Sequence, residues 1–396
     1  MRSVVIPLIT KKGELNKMLS IPFMQLGDLH ISTPFKGISP SAGYMRRQEL
    51  IGALKSAVEI IKSNNIPILF ITGDLYENNY ITQPTIVEIS RLLASIPNTS
   101  VFISPGNHDY IHKRSFYTNW EWPSNVHIFT SPSVQRIDLN DVPVSIYGFA
   151  WDKPELAFPM DMKPNDASRI NVAVIHADAL SPSSPYLAIE PKKLMSWNMD
   201  YIALGHIHKP YAIDIHTQLR PLDTDSIQAS AAYAGSTEPL NVSEYGDHGI
   251  IVGALSKNHA SIRLLPIAKR RVINIDVSLT DCQTESDIKE KILTSASKSG
   301  TKNDMYSICL KGRVEAHLRD SIANIAGSIT PQFFSLSIID QTIPDYDLDY
   351  IKQQHSNDII GKFVEYMEDE IQAAGPEQQL ILRQSLYMGL EALLTQ

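Results

Sequence analysis

The first third of the chain alternates continuous apolar runs with longer amphipathic stretches. Ile21–Leu26 and Ile66–Thr72 are nearly unbroken apolar runs, which predict buried strands. Tyr44–Lys62 places its apolar residues three or four positions apart, which predicts a helix with one buried face. A second helix is predicted over Thr85–Ile96 and a third, short strand over Val101–Ser104. Such alternation is typical of an α/β layered fold.

Farther along the chain the pattern becomes denser in strands. The predicted strands are Val126–Phe129, Val134–Leu139, Val144–Phe149, Asn171–Ile175, Tyr201–Leu204, Ala231–Tyr233, Gly249–Leu255 and Ala260–Pro266. The polar segment 214–230 separates two of them and is predicted to be a surface loop. Strands alternating with helices, followed by mainly strands, predict mixed sheets in an α/β layer architecture.

Changes in the pattern divide the chain into four segments. They are an N-terminal extension (1–20), the strand-rich block (21–268), a small α/β domain (269–343) and a helical segment (344–396). The basic run at 269–271 is interpreted as a linker, and the β-α-β-α-β order after it defines the small domain. The last segment carries two amphipathic stripes with little chain left to pack against. Those helices either fold back on their own domain or bind a partner, and the pattern leaves both possibilities open.

Composition and charge narrow the class of protein. The chain has 396 residues, 43% of them apolar, and no apolar run approaches the ~18 residues of a membrane span. The formal charge of −8 argues against a strongly basic nucleic-acid-binding coat. Residues 341–396, however, hold ten acidic and three basic side chains, so −7 of that charge belongs to the helical segment. Two cysteines and the short apolar stretch Val4–Ile9, too brief for a secretion signal, predict a cytoplasmic protein.

Five short polar motifs carry the candidate chemistry, and most of them directly follow a predicted strand. They are Gly27-Asp28-Leu29-His30, Gly73-Asp74-Leu75-Tyr76, Gly106-Asn107-His108-Asp109, His176, and Gly205-His206-Ile207-His208. Loops that follow parallel strands meet at one edge of a sheet, so we expect these side chains to converge. Two carboxylates, one amide and several imidazoles are the mixed oxygen and nitrogen ligands of two divalent ions. The sequence therefore predicts a binuclear metal site.

The order of these motifs resembles the signature of the calcineurin-like metallophosphoesterases, D-x-H … GD … GNH[D/E] … H … GHxH. The resemblance implies a four-layer αββα sandwich whose two metal ions activate a water molecule for attack on phosphorus. One ion would be held by Asp28, His30, Asp74 and His208, and the other by Asp74, Asn107, His176 and His206, with Asp74 as the bridge. His108 matches the histidine that stabilises the transition state and protonates the leaving oxygen, and Asp109 would orient its imidazole.

Further segments are similar to the SbcD branch of that superfamily, the bacterial DNA-repair exonucleases, and particularly to its YhaO-like members. They are Gly73–Asn78, Ser104–Asp109 and Tyr233–Leu240 with Gly246–Gly249. The resemblance implies a DNA exonuclease or endonuclease with a capping domain, and C-terminal helices that bind an SbcC-like coiled-coil ATPase. It also implies a homodimer. Archaeal members of this branch carry a histidine three residues after the second-motif aspartate, whereas this chain has Glu77 there.

The predicted chemistry fits a phosphodiester substrate. Two divalent ions with two ligating carboxylates leave the site at about +2, although the chain is anionic overall. We expect Mn²⁺ as the active ion. The basic side chains nearest the motifs are candidates for contacts to DNA phosphates or parts of a solvated surface; they are Lys36, Arg46, Arg47, Lys113 and Arg114. A small-nucleotide (cyclic nucleotide) phosphodiesterase is the alternative function, and a scaffold without catalysis is a third.

Overall fold

The computed structural model describes residues 20–36, 38–156 and 161–394. Except for Ser20, the predicted N-terminal extension (1–20) lies outside them. The chain divides between Arg271 and Val272 into two compact units. Among the helices that the structure describes, none is both long and apolar enough to cross a membrane.

The first unit contains a large mixed sheet with helices and loops on its faces. Its strands are β1 (Ile21–Leu26), β2 (Ile68–Ile71), β3 (Ser100–Ile103), β4 (Val126–Ile128), β5 (Gln135–Asp138), β6 (Val144–Gly148), β7 (Ile170–His176), β8 (Tyr201–Gly205), β9 (Tyr211–Asp214), β10 (Leu219–Pro221), β11 (Ile227–Tyr233), β12 (Gly249–Ser256) and β13 (His259–Pro266). Its helices are α1 (Pro40–Asn64), α2 (Gln83–Ala94), α3 (Phe116–Asn119) and α4 (Pro191–Met195).

The sheet curls so that its two halves face each other. The strand order is β4-β3-β2-β1-β12-β13-β11-β8-β7-β6-β5, and the β12–β13 hairpin joins the halves. Side chains alternate along each strand. Phe23 of β1 therefore points to the interior, where its ring centroid lies 5.2 Å from that of Tyr201 on β8. Met24, its neighbour, packs instead with α1 and α2 on the outside of the first half.

The outer face of the second half is covered differently. Ala173 and Ile175 of β7 point to this side and pack with Trp151 and Trp197 in a third hydrophobic cluster. The five-residue helix α4 contributes Leu194, and much of the remaining cover comes from loop segments. The order of layers is thus helix, sheet, sheet, and a layer of loops with a short helix. The mixed α/β sandwich is the fold class that the sequence predicts.

Local sequence explains where the long helix α1 begins and ends. The Ser39 hydroxyl caps its first turn by accepting the backbone N–H of Ala42, and Asn65 ends it in a left-handed conformation. The helix is longer at both ends than the predicted Tyr44–Lys62, because the residues that cap it, Ser39 and Asn65, lie outside the apolar stripe on which the prediction was based.

One segment differs from its prediction. The polar stretch 214–230, expected to be a surface loop, contains β10 and the start of β11, and the exposed strand β10 pairs with the largely buried strand β9. Its residues Leu219–Pro221 are all exposed, so the apolar pattern that marks a buried strand is missing there.

The second unit has the predicted β-α-β-α-β order followed by helices. Its elements are β14 (Val272–Ser278), α5 (Glu285–Ser299), β15 (Met305–Glu315), α6 (Ala316–Ile329), β16 (Ser335–Asp345), α7 (Leu348–Gln354), α8 (Ile359–Ala373) and α9 (Pro376–Leu394). The three strands are parallel, and α5 and α6 pack on the sheet.

The terminal helices pack on one another and on this sheet. Their predicted apolar stripes form a small core that includes Val364 of α8 and Leu390 of α9. Arg313 of β15 lies over the ring of Tyr387 on α9, 4.4 Å from its centroid. The stripes therefore fold back within the unit. Other apolar side chains of α8 and α9 remain exposed; they are Ile359, Tyr366, Ile381 and Met388.

Candidate metal centre

Each of the seven predicted ligands is either the last residue of a parallel strand or part of the loop that follows one. Asp28 and His30 follow β1, Asp74 follows β2, Asn107 follows β3, His176 ends β7, and His206 and His208 follow β8. Strands β1, β2 and β3 run parallel to one another, as do β7 and β8. Because these ends meet at one edge, residues far apart in the chain become neighbours.

Asp74 lies between two groups of candidate ligands. Its Oδ2 is 3.5 Å from Nε2 of His30 and 3.4 Å from Nε2 of His176. Ligand atoms of Asp28, His30 and His208 all lie within 4.8 Å of one another, and so do those of Asp28, Asp74 and His176. The geometry is compatible with a bridging role for Asp74, which the resemblance implies.

Three imidazoles are held by their Nδ1 atoms, which leaves Nε2 directed toward the centre. Nδ1 of His30 donates to Glu77 at 2.7 Å, that of His208 to Glu244 at 3.0 Å, and that of His176 to the carbonyl of Thr72 at 3.0 Å. Anchoring of this kind is typical of histidines that bind metal ions, because it sets the tautomer and the ring orientation.

The donor set fits a divalent cation. With the proton on Nδ1, Nε2 of His176 presents a lone pair to Oδ1 of Asn107, which is 2.8 Å away. Nε2 of His30 lies 3.2 Å from Nε2 of His208. Acceptor atoms at such distances are brought together when they share a cation, and mixed imidazole, amide and carboxylate ligands suit Mn²⁺ or Zn²⁺.

The backbone at the site is held in sparsely populated conformations. Asp28, His30 and Asp74 have φ values of 50°, 46° and 50°, and His206 has φ of 103°. A left-handed conformation costs about 1–2 kcal/mol in a residue with a Cβ, so the surrounding fold must stabilise these four. Strain of this kind clusters at functional sites.

Glycine is required where the motif loops approach each other. A Cβ at Gly106 would overlap the Asp74 carboxylate and lie 2.7 Å from Nδ1 of His176. Gly73 has φ of +91°, and a Cβ there would lie 2.6 Å from the same nitrogen. The two glycines therefore allow the second and third motif loops to pack against His176.

Burial and nearby carboxylates together set the pKa values of the ligand groups. Burial raises the pKa of Asp28 to about 6 and that of Asp74 well above its usual range. It lowers the pKa of His30 and of His206 to about 4. Burial also acts to lower the pKa of His208, but its hydrogen bond to Glu244 and the charge of Asp28 outweigh burial and raise that pKa to about 9. Burial thus favours neutral imidazoles at His30 and His206, and a cation at this position would stabilise the charged carboxylates and the neutral form of His208.

His108 lies at the rim of this site and is held by Glu77. Its side chain is 44% exposed, and its Nδ1 donates to Oε2 of Glu77 at 2.9 Å. That hydrogen bond raises the pKa of His108 to about 9. Burial would raise the pKa of Glu77, but hydrogen bonds from His108 and His30 lower it to about 2. One carboxylate therefore holds both a candidate ligand and the predicted proton donor.

The contacts of Asp109 differ from those expected of a residue that orients His108. Among the residues that the structure describes, no hydrogen bond joins Asp109 to the His108 ring. The Asp109 carboxylate is fully buried and accepts the backbone N–H groups of Gly106 at 2.6 Å and Leu75 at 2.7 Å, and the Tyr117 hydroxyl at 2.6 Å. Asp109 therefore ties the second and third motif loops together, and Glu77 contacts the imidazole instead.

Two carboxylates that hold imidazoles at this site, Glu77 and Glu244, were not among the predicted site residues. Glu77 lies three residues after Asp74 on the same loop, so its position beside the motif was a usable signal. Glu244 lies 36 residues after His208 and also accepts the backbone N–H of Leu240. No local pattern marks Glu244, because the fold alone brings its segment to the site.

One candidate DNA contact has a structural role. Arg46 is 1% exposed, pairs with Glu49 and Glu238, and donates to the carbonyl of Pro239 at 2.6 Å. It cannot reach a phosphate in solvent. The other four basic candidates are not fully buried. Arg270, expected in an open linker, is itself buried and pairs with Glu49.

Comparison with known proteins gives the class of the first unit. Residues 21–210 match the family model of calcineurin-like phosphoesterases, so this part of the chain is a calcineurin-like metallophosphoesterase domain. That class consists of metal-dependent hydrolases. The uncharacterized metallophosphoesterase YhaO of Bacillus subtilis (strain 168) is 26% identical over 251 residues. The alignment covers 59% of this chain and 57% of that relative.

Proposed function

We propose that the chain is a metal-dependent DNA nuclease that hydrolyses phosphodiester bonds as an exonuclease or endonuclease. The observation that carries the proposal is the convergence of the candidate ligands beside His108 at one sheet edge, where the His206 ring lies 5.2 Å from that of His176. The small second unit and its terminal helices support the nuclease over a phosphodiesterase of small nucleotides, since that order of segments resembles the SbcD-like DNA-repair nucleases.

The proposed cofactors are two divalent ions, with Mn²⁺ preferred. Asp28, His30 and His208 would hold one ion and Asn107, His176 and His206 the other, with Asp74 shared. When bound, the ions would supply Lewis-acid activation of water and compensate charge on the phosphate.

The chain's own residues would complete the reaction. Glu77 holds Nδ1 of His108, which leaves Nε2 as the nitrogen that can donate a proton to the leaving oxygen. Cleavage of one P–O bond by water yields an alcohol and a phosphate monoester. The proton from His108 goes to the alcohol, the attacking water releases its proton to solvent, and His108 is reprotonated from solvent. Glu244 and Glu77 keep the imidazoles of His208 and His30 in the tautomer that leaves Nε2 free.

One assay series tests this proposal. The purified protein with Mn²⁺ is given hairpin DNA, blunt duplex DNA, cyclic nucleotides and a chromogenic diester. Cleavage of DNA, and its loss in His108→Ala with retained metal binding, is expected. His317→Ala, an exposed histidine of the second unit, is the matched control. Turnover of cyclic nucleotides with intact DNA, even with an added ATPase, would overturn the nuclease in favour of the alternative.

We further propose that the protein works in the cytoplasm as a homodimer with an SbcC-like coiled-coil ATPase. The two cysteines, both free and buried, support a reducing compartment. The exposed apolar side chains of α8 and α9 named above support a helical partner, because a coiled coil offers complementary apolar positions.

Substitutions on that surface test the partner more cleanly than deletion of residues 345–396. Deletion would also remove contacts of α9 within the second unit, including the ion pair between Glu391 of α9 and Arg319 of α6. Ile381→Glu with Met388→Glu should abolish capture of an SbcC-like coiled-coil ATPase and spare diester hydrolysis. Gln384→Glu is the matched control on the same helix. Unchanged capture by the double variant would refute this role of α9.

A further inference from the structure

An open groove of about 420 Å³ lies beside the candidate metal centre. Its floor includes Ile31, the residue after His30, and Ile51 of α1. Its sides are formed by the loop after β1, the first half of α1 and the start of α2. The volume is that of a small-molecule site. Two lining residues, Ile31 and Ser32, directly follow the candidate metal ligand His30 in the chain.

Two exposed tyrosines line this groove. Tyr44 of α1 is 59% exposed and Tyr80, before α2, is 48% exposed. Tyr80 is tied to the loop of the metal site, because its backbone N–H donates to the carbonyl of Glu77 at 3.0 Å. Exposed aromatic rings beside an active site are the surfaces on which unstacked bases pack.

The groove also offers polar groups for one phosphate. Arg47 has no ion-pair partner among the residues that the structure describes, in contrast to its buried neighbour Arg46. Thr82 and Thr85 add hydroxyl groups on the α2 side. Glu88 also lines the groove and balances the charge of Arg47, so the net charge of the groove is near zero. Stacking must therefore provide more of the recognition than charge, which favours a base over a bare phosphate.

The loop that shapes the groove is held in a defined conformation. Ser32 and Phe35 have φ values of 78° and 45°, and the N–H of Ile31 donates to the carbonyl of Leu75 at 3.0 Å. The groove is thus built from the same loops that place His30 and Glu77.

We propose that this groove binds an unpaired nucleotide next to the scissile bond, with its base on Tyr44 and Tyr80 and its phosphate on Arg47. The inference rests on the proposed nuclease function and narrows its substrate class. A base can offer its face to a tyrosine only when it has left the duplex stack. The preferred DNA therefore has a single-stranded or frayed end rather than a blunt one.

Binding is tested without catalysis, in EDTA, with a short single-stranded oligonucleotide that carries one 2-aminopurine base. Stacking on tyrosine should quench its fluorescence in the wild-type protein. Tyr44→Ala and Tyr80→Ala should each weaken binding about fivefold or more and reduce the quenching. Tyr44→Phe and Tyr80→Phe should restore both, because the ring is kept. Arg47→Ala should weaken binding and retain the quenching.

Two substitutions in the second unit serve as matched controls. Tyr350→Ala removes a tyrosine that is also 59% exposed, and Arg383→Ala removes an exposed arginine. Both should bind like the wild-type protein. The proposal that this groove binds a base would be refuted by absence of quenching in the wild-type protein. Equal binding by the groove variants and these controls would refute it as well. If a free 2-aminopurine mononucleotide is quenched and binds with the same affinity as the oligonucleotide, the groove does not bind a DNA strand in particular.

The Mn²⁺ activity assay separates this inference from the nuclease proposal. The groove variants should raise KM for DNA with an unpaired end, whereas Tyr350→Ala and Arg383→Ala should keep the wild-type KM for this DNA and the wild-type hydrolysis of a chromogenic diester. If the wild-type protein hydrolyses the diester but no DNA, the proposed nuclease function is refuted, whatever the binding result in EDTA. If all groove variants cleave DNA with unchanged KM, only the proposed role of the groove is refuted.

Discussion

Replacing Glu77 by glutamine preserves the shape of the side chain and removes its charge. In the native protein both carboxylate oxygens accept Nδ1–H groups, from His30 at 2.7 Å and from His108 at 2.9 Å. An amide has only one acceptor oxygen, so one of the two contacts must be lost. The His30 contact is buried and the His108 contact is partly exposed. We therefore expect the amide oxygen to face His30 and its NH₂ group to face His108.

The magnitude follows from the contact that is lost. A hydrogen bond to a charged group contributes about 1.5–3 kcal/mol, which corresponds to about 10- to 100-fold in rate. Turnover of Glu77→Gln should fall by this factor, while Mn²⁺ affinity falls less. Because the carboxylate raises the pKa of His108, its loss should lower that pKa. The limb of the pH–rate profile that reports protonated His108 should move to lower pH.

Glu77→Ala distinguishes the two contacts, since it removes both. It should lose turnover and also weaken Mn²⁺ binding by about 10- to 100-fold, as is typical when the partner of a ligating histidine is removed. Turnover is measured with DNA, whose alkoxide leaving group needs a proton, and Mn²⁺ affinity by titration calorimetry. Glu59→Gln, an exposed acid on α1, is the control. A glutamine variant with wild-type turnover and an unshifted pH profile would refute the role of Glu77.

Two further substitutions test the buried polar contacts by urea denaturation. Asp109→Ala orphans several buried donors at about 1–3 kcal/mol each, so it should lower the free energy of unfolding by at least about 3 kcal/mol, and Asp109→Asn by less. Arg46→Ala leaves Glu238 buried without its partner and should cost about 3–5 kcal/mol. Arg47→Ala, one position along, should cost less than about 1 kcal/mol. Wild-type stability of Asp109→Ala, or equal effects of the two arginine variants, would contradict this assignment of contacts.

Much of the fold could be predicted, since its elements depend on local patterns. The apolar run at Ile21–Leu26 matches β1, and the stripe within Tyr44–Lys62 matches the buried face of α1. The predictions failed where that signal is missing. The exposed strand β10 buries none of its side chains.

The site could be predicted as a set of residues but not as a set of contacts. Asp74 and His176 were expected to meet because each ends or follows a parallel strand. Asp109 adjoins His108 in sequence and was expected to orient it, yet successive side chains of a tight loop need not point the same way. Glu77, 31 residues earlier, makes that contact instead.

The sequence by itself determined which side chains could bind metal and at which sheet edge they would gather, because motif order and apolar periodicity are local properties. The tertiary structure alone decided which carboxylate holds which imidazole. It also decided that Arg46 is a buried tie to Glu238, 192 residues away, while Arg47 opens onto the groove. Such choices depend on packing between distant segments, and no local pattern of hydrophobic and polar residues encodes them.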